Sequence, residues 1–250
     1  MAEPAGGIGG SENRNCIVKT LLAWSSGKDS AWALHVLRQS GVEVAGLLTT
    51  LNQEADRVAM HAVRRALLEA QADAAGVALR QVPLPWPCTN DDYQARMADA
   101  CRGAVAEGFD TIAFGDLFLR DVRDYRERQL AGSGLTPLFP LWEIPTAALA
   151  EEMIAAGLRA RLTCIDTKQL DARFAGREFD RALLAELPAT VDPCGENGEF
   201  HSFAYEGPMF RRPVEVEAGE LREAEGFVFA DLVPKNARLG QFSTGGAATP

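Results

Sequence analysis

An α/β fold, with a parallel sheet covered by helices on both faces and a smaller α+β unit after it, is what this 250-residue sequence predicts. Three observations carry that prediction. Short apolar runs alternate with longer helical stretches from Cys16 to Phe114, the strand–helix order of a parallel sheet. Gly41 and Gly76 stand where two of those helices should stop. After Leu117 the pattern changes to a charged helix and then to short strands separated by turns.

The candidate strands of the first part are Lys19–Trp24, Val42–Leu48, Leu79–Pro83 and Asp110–Phe114. Helical stretches lie near Asp29–Ser40, Ala55–Ala75 and Asp91–Glu107. In the first of these, Ala31, Leu34 and Leu37 recur every third residue and Ala33 sits four before Leu37, which makes one buried stripe. The charged helix runs over Leu117–Ala131 and enters a Gly- and Pro-marked segment, GSGLTPLFPLW. A helix at Thr146–Ala156 and a strand at Arg159–Ile165 follow, then FHSFAYEGPMF, Val214–Glu217 and Phe227–Val233 as further strand signals. The expected division is a first domain over residues 16–142 and a second over 143–243, with flexible tails at 1–15 and 243–250.

Bulk properties narrow the function classes. Hydrophobic residues make up 47% of the chain and charged residues 24%, an ordinary globular balance. A formal net charge of −10 repels polyanions and argues against a nucleic-acid substrate. The cysteines at 16, 88, 101, 164 and 194 contain no C-x-x-C pair, so no local zinc or dithiol motif exists and a reducing cytoplasm is the plain expectation. No apolar run approaches the ~20 residues that span a bilayer.

Chemistry enters at the loop after the first strand, KTLLAW-SSGKDS-AWALHVL. A helix N-terminus offers free N–H groups and a partial positive charge, and small residues let the backbone come close to an anion. Ser25, Ser26 and Ser30 add hydroxyls, Lys28 a mobile cation, and Asp29 either a helix cap or a metal ligand. The same residues also make an ordinary capped strand-to-helix turn. A Walker A loop is excluded, because Leu22 stands where its first glycine belongs and Asp29 follows the lysine in place of Ser or Thr.

SSGKDS resembles the PP-loop signature SGGxDS of ATP pyrophosphatases, in the Rossmann-like adenine nucleotide alpha hydrolase-like superfamily, with Ser26 in place of the commoner glycine and a slightly less tight turn expected there. The resemblance implies that ATP is cleaved between its α and β phosphates, with Mg2+ as companion. It also implies that Leu48 and Thr49, followed by Thr50, close the second strand at the adenine edge. Gly115-Asp116 follows the fourth strand to the same edge, where the aspartate suits magnesium, ribose or a helix cap. Asp29 and Asp116 are the metal candidates. On the charged helix, which otherwise reads as a solvated face, Arg126 is the arginine expected nearest the phosphates.

A second constellation lies at Val191-Asp192-Pro193-Cys194-Gly195-Glu196-Asn197-Gly198-Glu199-Phe200-His201. Two glycines frame two glutamates in a turn that enters a strand. Such carboxylates can bind a cation or take a proton from ammonium, or they can be surface groups of a hairpin. SSGKDS, FGDLFLRDVRDYRE, LDARFAGREFD and DPCGENGEFHSFAYEGPMF, in this order, resemble the diphthine–ammonia ligase family of PP-loop proteins from Leu22 to Phe210. The resemblance implies adenylation of the carboxylate of diphthine on elongation factor 2, then displacement of AMP by ammonia. It implies that Ser25–Ser30 hold the triphosphate, that Lys28, Glu196 and Glu199 are catalytic, and that Gly195, Glu196, Asn197, Glu199 and His201 form the acceptor pocket. Phe200 and Tyr205 would face a trimethylammonium group. Since family members also occur where diphthamide is not made, a different acceptor is the alternative.

Two rival classes remain. A tRNA-modifying PP-loop thiolase needs a basic surface and a reactive cysteine pair, whereas the nearest cysteines here, Cys88 and Cys101, lie thirteen positions apart. A nucleotide-sensing module would hold ATP without turning it over and would use GENGE as a mere turn.

Overall fold

The computed structural model describes residues 18–58 and 61–235, so Cys16 and both expected tails lie outside the described residues. The first part is a six-stranded sheet built on β1 (Lys19–Ala23), β2 (Glu43–Asn52), β4 (Ala78–Leu84), β5 (Thr111–Ala113) and β6 (Thr136–Leu138). These five are parallel and lie in the order β4-β2-β1-β5-β6. The short β3 (Arg57–Val58) runs antiparallel against Leu51 and Asn52.

Alternation within each strand divides the apolar side chains between two cores. Leu22, Leu47, Leu51 and Ala113 face the side covered by α1 (Lys28–Gln39) and α2 (Arg65–Ala75), where Trp32, Leu34, Leu67 and Leu68 are buried. Leu21, Leu48, Val82 and Ile112 face the other side, covered by α3 (Asn90–Ala106) and α4 (Arg120–Leu130). The α/β layering read from the sequence is therefore present.

Three differences from the expected elements have physical causes. The helix expected over Ala55–Ala75 begins only at Arg65, because the chain first pairs β3 with β2 and turns through Asp56 and Ala62 at positive φ. The Gly- and Pro-marked segment contains β6, which finds its partner in β5. The charged helix is shorter than expected at both ends, Arg120–Leu130.

The second part is an antiparallel sheet in the order β8-β7-β10-β9, made of β7 (Arg159–Asp166), β8 (Phe200–Glu206), β9 (Val216–Ala224) and β10 (Phe227–Pro234). Helices α5 (Thr146–Ala155) and α6 (Arg181–Glu186) accompany it. Phe203, Leu162 and Val228 of this sheet belong to the same apolar cluster as α1 and α2, so one core runs through both parts. Among the described residues no helix is long and apolar enough to cross a membrane.

One contact between the parts is made at the end of α2. Gly76 closes that helix at φ +66°, and a Cβ built on it would stand 2.2 Å from the Arg211 guanidinium carbon. Arg211 is placed there by its own backbone N–H, which donates to the Ala74 carbonyl at 2.7 Å. Gly76→Ala is expected to lower stability by about 1–2 kcal/mol from the left-handed backbone alone, read as a lower urea midpoint at unchanged slope. An unchanged midpoint would contradict this account of the helix end.

Candidate active site

In the strand order, the chain leaves β1 for β2 and β4 on one side and returns to β5 and β6 on the other. Strands β1 and β5 therefore flank the switch point, where the ends of two strands leave a crevice at their carboxyl edge. The loop Ser25-Ser26-Gly27 leaves β1 there and opens α1, and Gly115-Asp116 leaves β5 beside it. Both glycines are needed for the close approach. A Cβ on Gly115 would stand 3.0 Å from the backbone of Asp29 and Ser30, and one on Gly27 would stand 2.9 Å from His61 Cε1.

Above the loop lies a cavity of about 860 Å³, within the upper range of small-molecule sites. Ser25, Lys28, Asp29 and Ser30 line it from the loop, and Leu48, Thr49 and Thr50 from β2. Gly115, Asp116 and Arg126 line it beyond β5, and Gly195, Glu196, Phe200 and His201 come from the second part. The loop, the strand ends and the glutamate-rich turn, distant in sequence, thus share one wall system.

The loop itself is tightly bonded. Ser25 Oγ and Ser30 Oγ lie 3.2 Å apart, Ser30 Oγ donates to the Gly27 carbonyl at 3.0 Å, and Gly27 N–H donates to Ser25 Oγ at 3.3 Å. Ser26 has φ +68°, so the glycine-like geometry is kept with a side chain present, and the less tight turn expected there is not found. A left-handed non-glycine residue costs roughly 1–2 kcal/mol. Offsetting bonds surround it: the Ser26 hydroxyl donates to the Ser25 carbonyl, and the Ser26 carbonyl accepts from Ala204 N–H at 3.0 Å and Gln71 Nε2 at 2.9 Å.

Lys28 is not the mobile cation expected from the sequence. Its side chain is buried, and its ammonium donates to both Asp29 carboxylate oxygens at 2.9 and 2.8 Å and to the Cys194 carbonyl. Burial alone would depress this lysine, but the Asp29 carboxylate, followed by Cys194 and Glu196, holds it above the ordinary value. The backbone N–H of Lys28 donates to Ser202 Oγ at 3.2 Å, so β8 caps the start of α1.

Neither metal candidate is a free carboxylate. Asp29 is committed to Lys28, and Asp116 is held by Arg126, whose Nη2 lies 3.0 Å from it and whose Nε completes a bidentate pair. Among the described residues no three His, Cys, Asp or Glu side chains are grouped to hold a metal by themselves. A Mg2+ site of the nucleotide type needs only one or two carboxylates, with phosphates and water completing it.

The turn over residues 191–200 sorts its two glutamates apart. Asp192 Oδ2 accepts from the N–H groups of Cys194 at 2.9 Å and Glu196 at 3.1 Å. Gly195, at φ +71°, lets the chain fold back where a Cβ would meet the Phe200 carbonyl at 2.8 Å. Glu196 then turns its carboxylate into the cavity, where Oε1 accepts from the Leu117 N–H at 2.8 Å. Burial, reinforced by the negative charge of Asp29 and Asp116, pushes it up to about 7.

Glu199 turns the other way. It is 1% exposed, lies outside the cavity lining, and its Oε1 accepts from Asp192 N–H at 2.8 Å and Asn197 Nδ2 at 3.0 Å. Glu199 and Asn197, both expected in the acceptor pocket, are thus placed to brace the turn. Tyr205 is likewise away from the cavity, with its hydroxyl bonded to Glu178 and the Arg159 guanidinium over its ring. Phe200 does line the cavity, with the Lys28 ammonium 5.4 Å from its ring centre.

Thr49 Oγ1 donates to the Trp24 carbonyl at 2.7 Å, and the Leu48 carbonyl accepts from Trp24 N–H at 2.8 Å, which leaves Leu48 with one of its backbone groups already used. His201 faces the cavity as expected, and its ring lies 4.7 Å from that of His61, which sequence reading had missed. Burial and the nearby Lys28 charge keep both rings neutral, His201 down to about 4; for His61, burial and His201 lead in lowering it to about 3. His61 Nδ1 lies 3.2 Å from the Ser202 carbonyl, an acceptor, so this nitrogen carries the proton. Gln71 and Ser202 were missed as well; Ser202 lies within the FHSFAYEGPMF stretch, whereas no local motif marks His61 or Gln71.

Comparison with known proteins agrees with the two-part fold. Residues 18–137 match the diphthamide synthase N-terminal domain and residues 145–232 the diphthamide synthase C-terminal domain. Curated proteins named diphthine--ammonia ligase are similar to the chain. That of Danio rerio is 32% identical over 117 residues, 44% of this chain and 46% of that protein. Those of Bos taurus and Homo sapiens are 29% and 30% identical over 39% and 34% of their lengths. The chain spans less than half the length of these relatives in each match. Two domain families in the right order, laid over the loop and the turn that share the cavity, make the chain a member of the diphthine–ammonia ligase (diphthamide synthase) family.

Proposed function

We propose that the chain is an ATP-dependent, AMP-forming amide ligase. The observation that carries this reading is that the Ser25–Ser30 loop and the Glu196 carboxylate, supplied by opposite parts of the molecule, open into one cavity. The β and γ phosphates lie on the loop, whose hydroxyls and helix N-terminus suit them. An oxygen of the acceptor carboxylate attacks the α phosphorus and pyrophosphate leaves. Ammonia then attacks the acyl carbon and AMP leaves. The name of the relatives, diphthine--ammonia ligase, supports ammonia as nitrogen donor and diphthine on a protein as acceptor. Mg2+, when bound with the nucleotide, would neutralise phosphate charge, with Asp29 or Asp116 as its protein contact. Residues 16–142 serve the nucleotide and 143–243 the acceptor in this division of labour.

The chain's own groups have distinct parts. Lys28 fixes the loop and the turn against each other and contributes positive charge beneath the phosphates. Glu196 receives the proton that the attacking nitrogen gives up. A carboxyl titrating at about 7 is well matched to proton transfer near neutral pH. The His61–His201 pair, held neutral, adds no charge that would compete with an acceptor cation.

Two outcomes test this. ATP–pyrophosphate exchange against a panel of carboxylate acceptors should depend on one acceptor, with AMP and not ADP as product. With ammonium present and the amide product measured, Glu196→Gln should slow amide formation by about 10²–10⁴-fold, the usual worth of a general base, while ATP affinity and the exchange reaction stay unchanged. Survival of full activity in Glu196→Gln would remove its catalytic role.

The second outcome concerns stability. Because the folded-state carboxyl of Glu196 is held above its ordinary value, its contribution is present at acid pH and is lost as pH rises through about 7. Glu196→Gln, which mimics the protonated form, should therefore melt with the wild type at acid pH and above it in mild alkali. A melting difference that does not change with pH would contradict the shift.

A further inference from the structure

We infer that Gln71 is a positioning residue for the pyrophosphate loop, holding Ser26 in the left-handed conformation at the point where the related signature carries glycine. The inference rests on the reading of that loop as the ATP site and concerns how the loop is set.

Gln71 projects from α2 and is fully buried, at 0% exposure. An amide in such a place costs free energy unless its bonds are made, whereas a methionine would fill a similar volume without that cost. All its bonds go to the site. Its Oε1 accepts from Trp24 Nε1 at 3.0 Å, at the end of β1. Its Nε2 donates to the Ser26 carbonyl at 2.9 Å and to the Ala204 carbonyl of β8. One side chain thus joins the strand before the loop, the loop itself and the strand of the second part that lies against it.

The carbonyl it holds is the one that matters for Ser26. With φ at +68°, the conformation is one that a side-chain-bearing residue adopts at a penalty. Donors on the Ser26 oxygen fix the plane of the Ser26–Gly27 peptide, and with it the direction of the Gly27 N–H, which donates to Ser25 Oγ at 3.3 Å. Loss of the Gln71 donor leaves only Ala204 N–H on that oxygen among the bonds described. The loop is then free to relax toward a backbone that suits serine and turns its amides away from a bound anion. Glycine would need no such support, because it takes the same φ without strain.

This makes a specific double-variant experiment possible. Binding of inorganic pyrophosphate and of AMP is measured by calorimetry for the wild type, Gln71→Met, Gln71→Glu and Ser26→Gly/Gln71→Met, with melting curves in parallel. Met keeps the volume, and Glu keeps the acceptor for Trp24 while losing the donors. Both single variants are expected to weaken pyrophosphate by about tenfold or more, a difference calorimetry resolves easily, and to leave AMP nearly unchanged. Ser26→Gly should restore pyrophosphate binding in the Gln71→Met background.

Wild-type affinity in either single variant, equal weakening of both ligands, or failure of Ser26→Gly to restore binding would overturn the inference. If the wild-type chain itself takes no pyrophosphate, the ATP reading falls and this inference falls with it. That result is distinct from the other three.

Discussion

Everything in this site depends on one buried cation. Taking an ammonium out of water costs several kcal/mol, and the cost is tolerable only where partners meet it closely. Lys28 finds them in the Asp29 carboxylate, from its own helix, and in the Cys194 carbonyl, from a turn 166 positions away. Removing one partner from a buried pair typically costs about 3–5 kcal/mol, a large share of the roughly 5–15 kcal/mol margin of a folded domain. The two parts of the chain are therefore not free to drift apart at the place where substrate would lie. The Ser202 hydroxyl on the Lys28 amide and the Ala204 N–H on the Ser26 carbonyl repeat the same junction.

From that junction the electrostatics of the cavity follow. Asp29, Asp116 and Glu196 bring three carboxyl groups to one space, but Lys28 and Arg126 neutralise the first two. The third has no cation of its own, and burial outweighs the Leu117 and Phe118 N–H groups on its Oε1, so it is pushed up to about 7. The histidines meet the opposite influence. Packed against the loop and close to Lys28, they shed their protons far below the ordinary imidazole range. The cavity can thus offer an uncharged aromatic-rich wall and a titratable carboxyl to the same ligand, which is what the proposed ligase chemistry asks for.

The strand–helix alternation, the anion-suited loop and the glutamate-rich turn were all legible in the sequence, because each is written in adjacent residues. The direction of a side chain within a turn is not. Glu196 and Glu199 look equivalent on paper, yet Asp192 and Gly195 wind the turn so that one meets the cavity and the other braces its underside. Tyr205 and Phe200 lie on the same strand, but only the latter reaches the site. Gln71 and His61 carry no motif at all, since their significance arises from contacts with residues 45 and 141 positions away. The long helix expected from Ala55 failed for a local reason: the chain turns back on itself after β2, pairing Leu51 with Val58 and Asn52 with Arg57, and this hairpin outweighed the helical pattern of residues 55–64.

The central claim is that the turn leaving β1 presents its amides and hydroxyls to a departing pyrophosphate. A crystal structure with a non-hydrolysable ATP analogue tests it most directly. The account predicts the β and γ phosphates against Ser25–Ser30 and the α phosphorus open toward the Glu196 side of the cavity. A triphosphate tail seated elsewhere, with the loop untouched, would contradict it.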